Sequence, residues 1–184
     1  MKTFLAIIIL AILTGATEAA PARESPEFRI MQPGRTAIPL SGFRGKVVVM
    51  EFMFVNSEHC LRVARMLNKL QGELGDLGLQ SVAIAFDPPN MASTDGRFLA
   101  SVADYLKLAY PLGYASKEQV DTYLNRAGQE VLNIPQIVVV DRTGMIRAAS
   151  GGRGGNPALE DESALSNLIR TLLQEKSHGA GAGK

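Results

Sequence analysis

Residues 47–67 read Val-Val-Val-Met-Glu-Phe-Met-Phe-Val-Asn-Ser-Glu-His-Cys-Leu-Arg-Val-Ala-Arg-Met-Leu. Residues 47–55 are apolar except for Glu51 and rich in Val and Phe. A run without a polar face predicts a central strand buried on both sides. Ser57 is a favourable N-cap for a following helix. Cys60, Val63, Ala64, Leu67, Leu70 and Leu74 then recur at helical spacing, with Arg62, Arg65 and Lys69 facing outward. Gly75 is placed to end that helix. Residues 79–86 read as a second strand. Strand, helix and strand of these lengths form a βαβ unit, which is parallel with a right-handed crossover.

Cys60 is the only cysteine of the 184 residues, and it falls where the strand gives way to the helix. A helix N-terminus favours negative charge and can convert a thiol into a reactive thiolate. The competing reading is structural. Cys60 lies on the apolar stripe, and free cysteines commonly behave as small buried hydrophobes. One cysteine cannot close an internal disulfide, so it is a free thiol, an intermolecular partner or a core residue.

Working outward, the ends of the chain read as processing and tail segments. Met1-Lys2 gives a positive start, residues 4–13 are apolar, and residues 16–22 are rich in small side chains. This is the pattern of a secretory signal peptide over 1–22, with cleavage fitting after Ala19 or Ala22. The apolar run is shorter than the roughly 20 residues that span a bilayer, and no later segment is long and apolar enough. The expected product is exported, to the periplasm or beyond. Residues 177–184 form a Gly/Ala tail expected to be disordered. The folded domain is expected over 26–176.

The chain is 46% hydrophobic and 20% charged, with formal net charge +1. That balance gives no reason to expect nucleic acid or an anionic membrane as partner. Residues 21–27 read as a polar linker, and 28–40 as two short strands around Pro33-Gly34. Residues 96–109 and 116–127 read as helices separated by Pro111 and Gly113. Residues 136–140 read as a strand, and Asp141-Arg142-Thr143-Gly144 as a hairpin turn into 145–149. Residues 158–175 read as a final amphipathic helix, with the acidic run Glu160-Asp161-Glu162 in its first turn, where it favours the helix dipole.

Several site types find little support. A metal centre needs three or four ligands, and His59, Cys60 and His178 are the only His or Cys residues. The Gly151-Gly152-Arg153-Gly154-Gly155 segment lacks the ending of a phosphate loop. Neither histidine has the context of a Ser-His-Asp triad. No metal or other cofactor is expected, and the sequence sets no oligomeric state.

Four segments, in this order and spacing, resemble the thioredoxin superfamily. They are Leu40-Ser41-Gly42-Phe43-Arg44-Gly45-Lys46-Val47-Val48, residues 52–60, Ile134-Pro135, and residues 139–146. The resemblance is to the exported TlpA/ResA-like and redoxin (AhpC/TSA) branch and covers roughly 28–176. It implies an α/β thioredoxin-like fold: a central mixed β-sheet flanked by helices on both faces. In that family the strand leads into Trp-Cys-x-x-Cys. Here Asn56 stands for the Trp, Ser57 for the exposed nucleophilic cysteine, and Cys60 keeps the place of the second. Two thiols are needed to close and reopen an internal disulfide, so ordinary dithiol exchange is not expected.

The resemblance also assigns the neighbours. Ile134-Pro135 falls where the family has a cis-proline beside the active site, which implies substrate binding there. An ordinary trans proline opening a strand is the alternative. His59 matches a position that tunes the thiolate in some relatives; otherwise it is a first-turn histidine without a role. Glu51 matches a buried acid that manages the proton of the second cysteine. Read from the residues alone, an acid in an apolar strand is either protonated or partnered, or it reaches an edge or Lys46. The implied activity is thiol redox chemistry with protein thiols or disulfides, through mixed disulfides or a sulfenic acid at Cys60.

Two other functions remain open. Peroxiredoxins carry Thr/Ser-x-x-Cys at this helix, where one cysteine reacting with small peroxides suffices. Met53 stands where they have proline, and Arg142 is only a candidate for their activating arginine. The third reading is a non-catalytic thioredoxin-fold binding module that uses the groove between Ser57 and Pro135.

Overall fold

The computed structural model describes residues 23–32, 35–86, 96–127, 132–151 and 156–175. The expected signal peptide, the Pro33-Gly34 turn, Gly152 to Gly155 of the glycine-rich loop, His178 and the tail lie outside these residues. Strand β4, Val47–Met53, is buried at all seven positions. It runs parallel to β5, Leu79–Phe86, across helix α1, Glu58–Leu74. This is the βαβ unit that the apolar pattern predicts.

Around that unit the sheet is mixed. Its order is β1-β8-β7-β4-β5-β6, where β1 is Arg23–Glu24, β6 is Leu112–Ala115, β7 is Gln136–Val140 and β8 is Met145–Ala149. β6 joins β5 in parallel, whereas β7 pairs antiparallel with both β4 and β8. Strands β2, Arg29–Ile30, and β3, Ile38–Pro39, form a separate two-stranded ribbon.

The alternation of β4 sorts the core into two layers. Val47, Val49 and Met53 pack with Cys60, Val63 and Leu67 of α1, with Leu99 of helix α2 (Gly96–Leu106), and with Leu165 and Ile169 of helix α4 (Glu162–Gln174). Val48, Met50 and Phe52 face the other way, onto Phe28, Ile30, and Val120 and Tyr123 of helix α3, Lys117–Tyr123. Phe28 stands edge-on to both Phe52 and Tyr123, with ring centroids 5.6 and 5.2 Å apart. Helices therefore cover both faces of a mixed sheet, as the thioredoxin-like reading implies.

Local readings differ from the structure at several places. Residues 23–24, read as linker, pair with β8 at the sheet edge. Pro111 and Gly113, read as breaks, flank and enter β6. Pro111 supplies a carbonyl to the Ala83 amide. A Cβ on Gly113 would stand 2.3 Å from Ile30 and 2.6 Å from the Met31 carbonyl, so glycine is what lets the β2 segment cross β6. Helix α1 does end at Gly75, as read, but this cap stays right-handed and the left-handed reversal comes at Gly78, with φ 109°. α3 and α4 are shorter than read. Ser116 caps α3 in a capping box with Gln119, and Asp161 caps α4 through the Ala164 amide. Residues 157–159 form a separate 3-10 turn.

Candidate functional site

The site lies where β4 meets α1. Ser57 has extended backbone (φ −94°, ψ 114°) and its Oγ accepts the Cys60 amide at 3.4 Å. An N-cap hydroxyl satisfies one of the amides that a helix start leaves without an intrahelical partner. Inward-facing Cys60 is 0% exposed. Burial pushes its thiol pKa up. The Ser57 hydroxyl and the Phe54 backbone pull the other way but do not reverse it. The helix start therefore does not act alone on the sulfur: burial opposes it.

Glu51 faces the same layer as Cys60, between Ala83 of β5 and Ile137 of β7 in register. It is 0% exposed, and neither carboxyl oxygen has a hydrogen-bond partner among the described residues. Burial, with a smaller push from the charge of Glu160, raises its pKa well above the ordinary carboxyl value. Keeping an unpaired buried ion costs several kcal/mol, so the acid is held as the neutral carboxyl. The alternatives in which it reaches an edge or Lys46 fail. Lys46 stands at the far end of β4's approach and donates to Gln80 at 3.2 Å.

Tyr110 belongs to the same interior. It is buried and donates its hydroxyl to the Ala64 carbonyl of α1 at 3.0 Å. His59 projects from the first turn of α1 and meets Glu160 at 2.5 Å (Nε2 to Oε2). Glu160 is thus not in a helical first turn, as the acidic run was read; it closes the 157–159 turn and reaches back to α1. Of that run, Asp161 is the cap and Glu162 holds Lys69. Neither Tyr110 nor Glu160 carries a local sequence signal, because each meets the site only through long-range packing.

The Ile134-Pro135 bond is cis. Pro135 is buried, and Ile134 is half-buried against both core layers. Beside them runs a groove of about 380 Å³, lined among others by His59, Pro135, Gln136, Ser150, Asn156 and Glu160. The structure therefore brings Ser57, His59, Cys60, Glu51 and Ile134-Pro135 to one end of the sheet. Arg142 is at the opposite end. Its guanidinium donates to the carbonyls of Gly45, Leu77 and Leu173, so it does not serve as an activating arginine for Cys60. Among the described residues, no group of three or more His, Cys, Asp or Glu is placed to hold a metal ion.

The sequence profile of the AhpC/TSA family matches residues 21–149. No curated protein matches the sequence. Solved structures are similar in fold. A thioredoxin family thiol:disulfide interchange protein from Chlorobium tepidum TLS superposes with TM-score 0.66 at 15% identity, over 84% of this chain and 98% of that one. A hypothetical protein from Sinorhizobium meliloti 1021 gives 0.68 at 16% identity, over 87% of each chain. A secreted Mycobacterium tuberculosis disulfide oxidoreductase, homologous to E. coli DsbE, gives 0.60 at 15% identity, over 79% of this chain and 96% of that one.

Proposed function

The chain belongs to the AhpC/TSA family, and from that premise we propose that it is an exported thiol redox protein that works through one cysteine, Cys60. Its partners are polypeptide thiols and disulfides laid along the Ile134-Pro135 edge. The observation that carries this reading is Glu51. A fully buried carboxyl without a hydrogen-bond partner has no stabilising role, and perturbed acids of this kind cluster where protons are moved. Here it faces the layer of the only sulfur that can use it.

The step balances as follows. The Cys60 thiol gives up its proton to the ionised minority of Glu51, and its sulfur attacks one sulfur of an external disulfide. A Cys60–S bond forms, the external S–S bond breaks, and the leaving thiolate takes a proton from water. In the return direction an external thiolate attacks the mixed disulfide. Cys60 then leaves as thiolate and receives the proton of neutral Glu51. Ser57 caps the helix and stabilises the sulfur by its hydroxyl. It cannot act as the missing nucleophile, because its pKa lies far above that of a thiol. Export rests on the composition of residues 1–22 and matches the absence, among the described residues, of a helix long and apolar enough to cross a membrane.

The test is capture of a mixed disulfide with glutathione disulfide, read by intact mass. Wild type should gain one glutathione and Cys60→Ala none, and Glu51→Gln should slow the reaction. Ser57→Cys should acquire dithiol–disulfide exchange. A wild type that never forms the adduct while folded refutes the proposal.

The burial of Cys60 and the raised pKa of its thiol favour one other reading, a binding module without chemistry. In that case Cys60→Ala alters stability and leaves partner binding intact. A one-cysteine peroxidase draws on the family alone. A peroxidatic sulfur needs thiolate character, whereas this thiol is shielded and Arg142 is remote from it. Hydrogen peroxide should therefore oxidise Cys60 no faster than a small free thiol.

A further inference from the structure

The His59–Glu160 pair joins positions 101 apart in the chain: the first turn of α1 and the end of the turn that precedes α4. Both side chains wall the groove beside Pro135. Both also line a second recess with Arg62, Val63, Met66, Asp161 and Glu162. Cys60, adjacent in sequence to His59, lines neither and has no exposure. The groove thus comes up to the residue before the sulfur and stops at the His59–Glu160 contact.

The other charged groups nearby have other work. Glu58 accepts from Arg65, Glu162 holds Lys69, and Asp161 caps α4. Glu160 alone of these acids is turned onto His59. Resting on the single-cysteine reading, we infer that the His59–Glu160 pair is a latch over Cys60, with Glu160 the positioning residue. While the pair is made, the first turn of α1 is fastened to the 157–160 turn and the sulfur is closed to the groove. When it parts, the turn loosens and Cys60 is presented to a polypeptide lying along Pro135. The side chains are 44% and 29% exposed. A pair this accessible to water is weak, and its loss shifts an opening equilibrium by about two- to fivefold. A bound chain can overcome that much, and a rate measurement can resolve it.

The test is the rate at which N-ethylmaleimide alkylates Cys60 in the folded protein, with urea stability measured in parallel. His59→Ala and Glu160→Gln should each accelerate alkylation by about two- to fivefold. The double variant should be no faster than either single one, because both remove the same contact. Glu162→Gln, which strips a neighbouring acid held by Lys69, should react at the wild-type rate. Singles that react like wild type overturn the latch, as does an equal acceleration in Glu162→Gln, which would mean general loosening. Alkylation does not require redox activity. If the variants alkylate faster but no form takes up glutathione, the latch stands and the single-cysteine reading falls.

Discussion

Two acids are buried among the described residues, and they are buried differently. Asp121 of α3 is 6% exposed and fully engaged. Arg126 donates to it at 2.7 Å, and Lys117 of the same helix bonds its other oxygen. Glu51 of β4 is 0% exposed and has no partner among the described residues. At Asp121 two cationic neighbours take the place of water. Glu51 replaces water with hydrocarbon and gives up its charge instead. The paired acid fixes the end of a short helix. The unpaired one gives the fold nothing, and it lies on the side of the sheet that holds the only thiol. The contrast separates a carboxylate tied into the fold from one that the proposed function can use.

The comparison can be broken first at its stronger member. Asp121→Ala removes the carboxylate that Arg126 and Lys117 share, and loss of one partner of a buried pair costs about 3–5 kcal/mol. Urea denaturation should register that loss, with Cys60 alkylation in the folded state unchanged. A negligible change would mean that water already screens the pair. Arg142 offers an intermediate case, a cation that faces carbonyls rather than carboxylates. Arg142→Ala removes hydrogen bonds to Gly45, Leu77 and Leu173 and should cost about 2 kcal/mol. Because it stands at the far end of the sheet, peroxide reactivity should not move. A drop in that reactivity would restore the peroxidase reading. Ser57→Ala deletes the α1 cap at about 1 kcal/mol, and thermal unfolding resolves a shift of that size.

The effect at Glu51 is the most informative, because its sign is unusual. Glu51 keeps its proton in the folded state well above the ordinary value of 4.5, whereas the unfolded chain releases it near that value. From there upward the unfolded state binds fewer protons, so stability falls as pH rises until the folded-state pKa is passed. Glu51→Gln should therefore match wild type near pH 4 and become progressively more stable at higher pH. Paired denaturation curves at acid and neutral pH decide it. A variant that loses stability at neutral pH would reveal a partner for Glu51 and remove the argument for its role.

Much of the fold is legible in the chain. The two-sided apolar run of β4, the 3.6-residue stripe of α1 and the apolar β5 specify the central unit locally, because each must bury its whole length. What escapes are the elements whose reasons are remote. Gly113 reads as a breaker until Ile30 and Met31 are seen against it. Residues 23–24 read as linker until β8 offers them an edge. The same division runs through the site. Ser57, Cys60, Glu51 and Ile134-Pro135 are visible as residue types at telling positions, whereas Tyr110 and Glu160 are not.

By itself, the sequence determined the thioredoxin-like order of elements, the single thiol at a helix start and the acid in the strand before it. Periodicity and residue chemistry are local properties, and local properties are written in the chain. The tertiary structure decided that the thiol and the acid are both shielded from water, that the acid has no hydrogen-bond partner among the described residues, and that Glu160 is turned onto His59. Each of these depends on how much water the packed layers leave around a group and which distant charges they bring to it. Only the folded protein sets those quantities.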